Sequence, residues 1–418
     1  MNNKFYSTPP VDIHAEIRQL KRNLTANLPD VAALFAKVTA AITQQVEEIE
    51  QLKAEGKEVW PILDYKDIRS GKVSPAQIEL IHRRGCAVVR GHFPHKQARQ
   101  WDKEMLDYVS DNHFFDNYRG PGDSFFGTLS ASTPEIYPVY WSRPQMEARQ
   151  SERMVCVQSF LNRLWKFESE GKQWFDPDKN CLYPDRVRRR PPGTSSQGLG
   201  AHIDSGALER WLVPEYQTVF RHILAGNPDQ YDPWDAAYRT KVHEYAGGTT
   251  MCSAFRTFQG WTALSDMQND QGVLFTVPIP SVMTYVLLRP LLDDVASDDL
   301  CGVQAQRVLP LLEQWHALLL RAKSVIPNLQ AGDSVWWHCD MIHGVEPVEN
   351  QQGWGNVMYI PATPHCEKNS HYAQASFERF LLGQSPEDFP KEDYEMNWDN
   401  RFKQTDFNEH GKQSVSLL

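Results

Sequence analysis

The chain has 418 residues, of which 41% are hydrophobic, and a formal net charge of −10. This negative charge disfavours nucleic acid and anionic membranes as main partners. No apolar run approaches the roughly 20 residues that cross a bilayer, and the first residues lack the apolar core of a signal peptide. Seven scattered cysteines without a C-x-x-C pair are typical of reduced, mostly buried thiols. We therefore expect a cytoplasmic protein.

The first 115 residues are expected to form a helical region that packs on the rest of the chain. Residues 29–54 combine strong helix formers with a regular apolar face, which predicts a long amphipathic helix. Such a helix suits packing against its own chain and also a coiled-coil dimer. Further along, residues 75–84 predict a second helix, residues 86–90 a short strand and residues 94–110 a third helix.

Two segments upstream of residue 200 could line a binding site. Residues 114–149 are rich in Gly, Pro and aromatic side chains, which predicts either a loop that lines a pocket or a loop held down by aromatic packing. Residues 151–167 predict a helix. If residues 183–190 are extended, one face carries Arg186, Arg188 and Arg190. Such a row can bind a carboxylate or phosphate, although solvated arginines are the simpler interpretation.

His202 and Asp204 form a His-x-Asp motif among several glycines. On a strand, side chains two residues apart leave the same face, so both can bind one metal ion. An imidazole and a carboxylate are two of the three ligands of the 2-His-1-carboxylate facial triad of non-haem Fe(II). A structural histidine beside a capping aspartate explains this motif equally well when it is taken alone.

The chain after this motif favours short antiparallel strands. Residues 208–248 form an irregular insertion with Pro and Trp, which we interpret as a lid or a wall. Strands are expected over residues 249–265, 272–277 and 282–288, and a helix over residues 309–322. Gly and Pro between the strands favour a sandwich or a barrel over repeated β/α units.

A third metal ligand is expected within residues 331–344, where a Gly-Asp turn leads into an apolar strand. His343 ends that strand beside a glycine and is the preferred ligand. His338 is the alternative, but it stands next to Trp336 and Trp337, where a hydrogen-bonded core histidine is common.

These motifs resemble those of the Fe(II)/2-oxoglutarate-dependent dioxygenases related to phytanoyl-CoA hydroxylase. The resemblance is carried by His202 and Asp204, by residues 259–266, and by residues 331–344 with His343. Three runs are more closely similar to the YbiU-like proteins, a group of unassigned function: residues 202–211, 255–261 and 337–343. The resemblance covers the chain from residue 60 or so onward.

The resemblance implies a fold that is mainly β with flanking α-helices. Its core would be a double-stranded β-helix, a cupin-like jelly roll, wrapped by the N-terminal helices. Residues 116–418 would form this catalytic core, with residues 208–248 as an insertion. His202, Asp204 and His343 would hold Fe(II), and 2-oxoglutarate would be the cosubstrate.

The sequence departs from this family at the expected 2-oxoglutarate anchor. Relatives carry an arginine about ten residues after the distal histidine, whereas residues 353–359 contain none. Arg256 is the preferred replacement, because an arginine buried in an aromatic-rich strand needs a partner. Arg188 and Arg289 are the further candidates.

The expected function is hydroxylation or desaturation of a small molecule. The 13 tryptophans and the candidate arginines favour a substrate that is anionic or contains a ring. Two alternatives remain open at this point. One is a non-redox, metal-binding cupin-like isomerase or hydrolase, which the missing arginine favours. The other is a catalytically silent jelly roll that binds a ligand.

Overall fold

The computed structural model describes residues 6–28, 30–120, 134–247 and 252–417. Its α-helices are α1 Ile13–Asn27, α2 Val31–Ala54, α3 Tyr65–Arg69, α4 Pro75–Arg84, α5 His95–Asp111, α6 Phe114–Asn117, α7 Arg143–Arg149, α8 Glu152–Arg163, α9 Glu209–Leu212, α10 Pro214–Val219, α11 Arg221–Leu224, α12 Met283–Leu288, α13 Glu313–Leu320, α14 Glu367–Leu382 and α15 Glu409–Ser414.

The strands are short. They are β1 Tyr6–Ser7, β2 Ile62–Asp64, β3 Cys86–Arg90, β4 Ile136–Tyr137, β5 Glu168–Ser169, β6 Lys172–Gln173, β7 Asp176–Asn180, β8 Val187–Arg188, β9 Leu199–Ile203, β10 Glu244–Tyr245, β11 Phe258–Ala263, β12 Leu274–Thr276, β13 Leu309–Pro310, β14 Ser324–Val325, β15 Ser334–His338, β16 His343–Val345, β17 Val357–Tyr359 and β18 Pro364–His365. Helices contain more of the described residues than strands do, so the fold is mixed α/β and the expectation of a mainly β protein was too narrow.

Two sheets form the centre of the molecule. The larger has seven strands in the order β2-β3-β15-β11-β17-β8-β4, and the smaller has five in the order β13-β9-β16-β12-β14. Neighbouring strands are antiparallel in both sheets, except for the parallel pair β2 and β3. Along the chain, β8, β11, β15 and β17 enter the larger sheet, whereas β9, β12, β14 and β16 enter the smaller one. The chain therefore passes repeatedly between the two sheets.

The N-terminal helices pack on this centre. Helix α2 buries Val38, Ile42, Val46 and Ile49 along one face and packs against α12 and α13 of its own chain. Its apolar face is therefore covered within the monomer, as expected if residues 29–54 pack against their own chain. The N-terminal region is not purely helical, because β2 and β3 extend the larger sheet beside β15.

Helix α4 shows how closely local signals can define an element. The Ser74 side chain accepts a hydrogen bond from the backbone N–H of Gln77, and the Gln77 side chain binds the Ser74 backbone in return. Pro75 occupies the first turn, and Gly85 ends the helix with φ +69°. This combination of capping box, early proline and left-handed glycine produces the predicted bounds. The predicted helix over residues 75–84 and the strand over residues 86–90 are confirmed.

Four expectations from the sequence need correction. The predicted strand over residues 282–288 is helix α12, and all six of its residues are buried. A run of residues that is apolar throughout shows no hydrophobic periodicity, so its sequence does not distinguish a strand from a buried helix. Residues 309–322 begin with the short strand β13, and the helix starts only at Glu313. Within residues 183–190 and the described part of residues 249–265, strand pairing covers only β8 and β11.

Residues 121–133 and 248–251 lie outside the described residues, and so do parts of the expected pocket-lining loop and of the strand expected over residues 249–265. Within the insertion over residues 208–248, the described part is organised by three short helices, α9 to α11, rather than being irregular. Among the described residues, no helix is both long and apolar enough to cross a bilayer.

Candidate metal centre

His202 and His343 face each other across two neighbouring strands of the smaller sheet. His202 lies near the end of β9 and His343 begins β16, and the antiparallel register pairs them directly. Directly opposed residues of an antiparallel pair point to the same face. Their ring centroids are 4.3 Å apart. Strand pairing, and not sequence proximity, thus unites two histidines that are far apart in the chain.

Asp204 follows two residues after His202 and completes the group. Its Oδ1 is 3.4 Å from Nε2 of His202, and its Oδ2 is 3.7 Å from Nε2 of His343. The ligand atoms of the three side chains all lie within 4.8 Å of one another. Two imidazole nitrogens and one carboxylate, on one side of a common point, match the donor set of the facial triad.

The second nitrogen of each ring fixes which atom can bind a metal. Nδ1 of His202 donates to the Gly200 carbonyl at 2.7 Å, and Nδ1 of His343 donates to the Met341 carbonyl at 3.0 Å. Because a carbonyl only accepts hydrogen bonds, each Nδ1 carries the proton. In the neutral ring, Nε2 then holds the lone pair that a metal needs.

Electrostatics favours a neutral His343 and an ionised Asp204. Burial, followed by the neighbouring His202, lowers the pKa of His343 to about 4. Burial alone would raise the pKa of Asp204, but the His202 imidazole beside the carboxylate, together with the nearby His343 and Arg256, outweighs burial and holds that pKa well below its usual range. At neutral pH, the His343 ring is therefore neutral and the carboxylate ionised, as a divalent cation requires.

The triad opens into a cavity of about 130 Å³ between the two sheets. Apolar side chains from both sheets line it, among them Leu199, Trp261, Leu274 and Trp337. Polar groups from the larger sheet and from nearby loops converge on the same space. A mostly apolar cavity with a few convergent polar groups is the usual form of a small-molecule site.

Arg256 lies beside the triad. It precedes β11 and is not part of that strand, contrary to our expectation. Its Nη2 is 3.9 Å from Oδ2 of Asp204 and donates to the Ser205 hydroxyl at 3.1 Å and to the Cys252 sulfur at 2.7 Å. Its Nε is buried without a hydrogen-bond partner in the described part of the chain. Arg256 can therefore donate further hydrogen bonds to a bound ligand.

Arg188 reaches the cavity from the larger sheet. It lies on β8, where it is only 5% exposed, and its register partner is Val357 on β17. Among the described residues, its Nε has no hydrogen-bond partner. The charge of Glu135 acts on both Arg188 and its neighbour Arg190. A buried guanidinium with unused donors at a cavity wall is suited to bind an anion.

The other arginines expected at the site have different environments. Arg289 lies outside the cavity and forms a two-pronged ion pair with Asp294, with distances of 2.8 and 2.6 Å. Arg190 donates to two backbone carbonyls, those of Gln271 and Gly272. Arg186 lines the cavity, with its guanidinium 4.7 Å from the ring centre of Phe389. Of the three arginines expected on one face, Arg186 and Arg188 therefore both line the cavity, whereas Arg190 is held by backbone carbonyls.

His338, the alternative ligand, is held inside the core. Its Nε2 donates to the Pro233 carbonyl at 2.9 Å, and its Nδ1 accepts from the backbone N–H of Asp340 at 3.0 Å. Trp165 stacks on the ring with a centroid distance of 4.5 Å. Both nitrogens are in use, so His338 has the structural role that its aromatic neighbours suggested.

The sequence did not single out several residues that line the cavity. Gln259 lies on β11 and its buried Nε2 has no hydrogen-bond partner within the described ranges. An uncharged polar residue within an apolar strand was the available signal. Tyr183 and Asp388 also line the cavity, and the Tyr183 hydroxyl donates to the Asp388 carboxylate at 3.0 Å. Asp388 lies far from the motifs in sequence, and no local pattern marks it.

Comparisons with known proteins place this site in a family context. The chain is 62% identical to YbiU of Escherichia coli K12 over 411 residues, which is 98% of each chain. A crystal structure from Salmonella typhimurium LT2, of a protein with the provisional name of an oxidoreductase, has a TM-score of 0.95 at 60% identity and covers 99% of this chain and 100% of its own.

A more distant solved structure is that of GlcNAc Inducible Gene 2, GIG2, from Candida albicans. It has a TM-score of 0.79 at 25% identity and covers 98% of this chain and 90% of its own. The expected similarity to YbiU-like proteins is confirmed. The family profile described as Gig2-like matches residues 11–417, and the chain belongs to the Gig2-like family.

Proposed function

We propose that the protein is an Fe(II)- and 2-oxoglutarate-dependent oxygenase that hydroxylates or desaturates a small molecule. The observation that carries this proposal is the convergence of His202, Asp204 and His343 at the wall of the cavity between the two sheets. Two imidazole nitrogens and one carboxylate leave three coordination positions of Fe(II) open. The bound iron would supply oxygen activation coupled to oxidative decarboxylation of 2-oxoglutarate to succinate.

The strand order supports a jelly-roll core for this enzyme. Strands β8, β17, β11 and β15 are consecutive neighbours in the larger sheet, and β9, β16, β12 and β14 are consecutive neighbours in the smaller one. Eight strands that pass between two facing antiparallel sheets match the double-sheet jelly roll. We propose that these eight strands are the double-stranded β-helix implied by the sequence resemblance, and that the remaining elements surround it.

The cavity favours Arg188 as the anchor for the far carboxylate of 2-oxoglutarate. The family arginine would fall within residues 353–359, which include β17. Val357 on β17 pairs directly with Arg188 on β8, so the two side chains share one face of the sheet. An arginine supplied by the neighbouring strand can thus reach the space that the family arginine would reach from β17.

Arg256 is better placed to contact a different group of the bound ligands than the far carboxylate. Its guanidinium is already within 3.9 Å of Asp204, so it lies beside one of the proposed metal ligands. We propose that Arg256 pairs with the metal-chelating end of the cosubstrate or with an anionic group of the substrate. This assignment revises our first choice of anchor, because a dicarboxylate that chelates iron places its far carboxylate away from the ligands.

Anaerobic titration of the Mn(II)-loaded protein with 2-oxoglutarate tests this proposal. Arg188→Lys keeps the charge but loses the planar fork, so it should weaken binding by about tenfold to a hundredfold, or about 1.4 kcal/mol per tenfold step. Arg289→Lys is the matched control and should bind as the wild type does. Unchanged affinity in Arg188→Lys would refute the anchor. Failure of the wild-type protein to bind 2-oxoglutarate would refute the oxygenase.

A further inference from the structure

The loop that carries Asp204 has an unusual backbone path. Ser205 has φ +63° and Gly206 has φ +87°, so two consecutive residues adopt left-handed conformations directly after the metal ligand. A non-glycine residue in this region is uncommon and requires support from its surroundings. A Cβ on Gly206 would lie 2.7 Å from the Tyr216 hydroxyl, so the loop is also tightly enclosed.

The guanidinium of Arg210 binds all three carbonyls of this loop. Its Nη2 donates to the carbonyls of Asp204 at 3.0 Å and Ser205 at 3.1 Å, and its Nε donates to that of Gly206 at 2.8 Å. The Tyr216 hydroxyl donates to the Ser205 carbonyl at 2.6 Å. Arg210 is only 1% exposed, so these hydrogen bonds are shielded from solvent. Donors of one rigid fork therefore define the position of three successive peptide groups.

The same guanidinium also links the loop to the second metal-binding strand. Its Nη1 donates to Oδ1 of Asp340 at 2.7 Å. Asp340 lies in the turn between β15 and β16, three residues before His343. The other oxygen of Asp340 accepts from Nη1 of Arg239 at 2.5 Å. One side chain thus connects the segment that carries Asp204 with the turn that leads to His343.

We propose that Arg210 is a positioning residue that holds Asp204 and His343 at the separation needed to bind one metal ion. The inference rests on the proposed metal centre. Arg210 touches no ligand atom of the triad, so it acts through the backbone of the loop and through Asp340. Residues that orient metal ligands from outside the coordination sphere change metal affinity when they are replaced.

Arg239 provides an internal control for the buried charges. It pairs with Asp340 as Arg210 does, and it is also buried. Its remaining donors go to the Tyr231 hydroxyl and to the carbonyls of Asp235 and Pro233, none of which belongs to the loop. Replacing either arginine by lysine weakens the buried ion pair, but only Arg210→Lys also removes the support of the loop.

The test compares the wild type, Arg210→Lys and Arg239→Lys under anaerobic conditions. Co(II) affinity is measured by chelator competition, Co(II) coordination by visible absorption, and folding by thermal denaturation without metal. We expect Arg210→Lys to weaken Co(II) binding by about 10- to 100-fold and to alter the Co(II) spectrum. Arg239→Lys should lower the thermal midpoint while Co(II) affinity and spectrum stay at wild-type values.

The outcomes separate this inference from the proposed function. Wild-type Co(II) affinity in a folded Arg210→Lys protein would overturn the positioning role alone, and so would an equal loss of affinity in Arg239→Lys. Absence of Co(II) binding in the wild type would overturn both proposals. If Arg210→Lys does not fold, Tyr216→Phe decides, because it removes one hydrogen bond from the Ser205 carbonyl and leaves the ion pair. It should weaken Co(II) binding measurably, and unchanged affinity would overturn the inference.

Discussion

Two clusters in the described part of the protein bring potential metal ligands within 4.8 Å of one another: His202, Asp204 and His343, and His338, Cys339 and Asp340. In the first, both Nε2 atoms and the carboxylate oxygens face a common point beside the cavity. In the second, His338 uses both ring nitrogens, and guanidinium groups bind both oxygens of Asp340. Both clusters thus bring residue types that can bind a metal within the same distance of one another, and the existing partners of those residues are the main difference between the clusters.

The difference teaches that candidate ligands can form a metal site only where strong partners, such as buried guanidinium groups, do not already bind them. A cation entering the second cluster would have to displace Arg210 and Arg239 from a buried carboxylate, which would leave two unpaired charges in the core. A cation entering the first cluster displaces no buried ion pair of comparable strength. Substitutions in each cluster test this distinction.

Removing one histidine from each cluster should give opposite results. His343→Ala removes one of two imidazole ligands, so we expect stoichiometric binding of Mn(II) or Co(II) to be lost while the fold is kept. His338→Ala should retain one metal per chain and lower the thermal midpoint, because it loses two hydrogen bonds and the stacking with Trp165. Equilibrium dialysis measures the metal stoichiometry of both variants, and thermal denaturation measures the midpoint. Retained binding in His343→Ala, with loss in His338→Ala, would reverse the assignment.

The buried carboxylate of the second cluster should matter for stability. Asp340→Asn leaves two buried guanidinium groups without their counter-charge, so we expect the free energy of unfolding to fall by about 3–5 kcal/mol. Asp294→Asn is the control, since Asp294 is 61% exposed and its pair with Arg289 should contribute at most about 1 kcal/mol. Urea denaturation of both variants measures the difference, and similar losses would argue against the structural role of the second cluster.

Much of the first cluster could be predicted from the sequence. Strand periodicity predicts that His202 and Asp204 point to the same side, although Asp204 lies one residue beyond the end of β9. The position of His343 at the end of an apolar run beside a glycine also favours it as the third ligand. The sequence did not reveal that residues 331–344 divide between two sheets, with His338 ending β15 and His343 beginning β16. The connecting turn contains no glycine or proline, and its Met341 and Ile342 are buried and apolar, so Asp340 is the one charged residue that marks the break.

The arginines show why the rest of the site could not be predicted. Arg188, Arg256 and Arg289 are equivalent as residue types, and their differences come from partners far away in the chain. Pairing of β8 with β17 directs Arg188 toward the cavity, whereas Asp294 engages Arg289 elsewhere. Strand pairing is a long-range property that local periodicity does not contain. The buried contacts of Arg210 with Asp340 were missed for the same reason.

Replacement by alanine should have very different effects at two glycines beside the first cluster. A Cβ on Gly344 would lie 2.5 Å from the Leu199 carbonyl oxygen and 2.5 Å from the Phe275 ring, whereas a Cβ on Gly200 would meet nothing within 4 Å. We expect Gly344→Ala to cost about 1–3 kcal/mol through forced separation of β9 and β16, and to weaken Co(II) binding as the histidines move apart.

Gly200→Ala should change the free energy of unfolding by no more than about 0.5 kcal/mol, because its side chain enters open space. Denaturant titration and Co(II) competition on the two variants give both quantities. Equal behaviour of the two glycine variants would show that close packing between β9 and β16 does not set the distance between His202 and His343.

The smallest effect is expected at Cys339, the thiol of the second cluster. Burial, followed by the charge of Asp340, raises the pKa of this thiol to about 12, so the thiolate that a metal requires is absent at neutral pH. Cys339→Ala should therefore leave the Co(II) stoichiometry unchanged and cost about 1 kcal/mol through lost packing.

Absorption of the Co(II)-loaded wild type provides the direct readout, since a thiolate ligand adds a sulfur-to-cobalt charge-transfer band in the near ultraviolet. We expect no such band in either protein. A band that is present in the wild type and lost in Cys339→Ala would show that the second cluster binds metal despite its ion pairs, and that occupied partners do not protect a buried cluster from a cation.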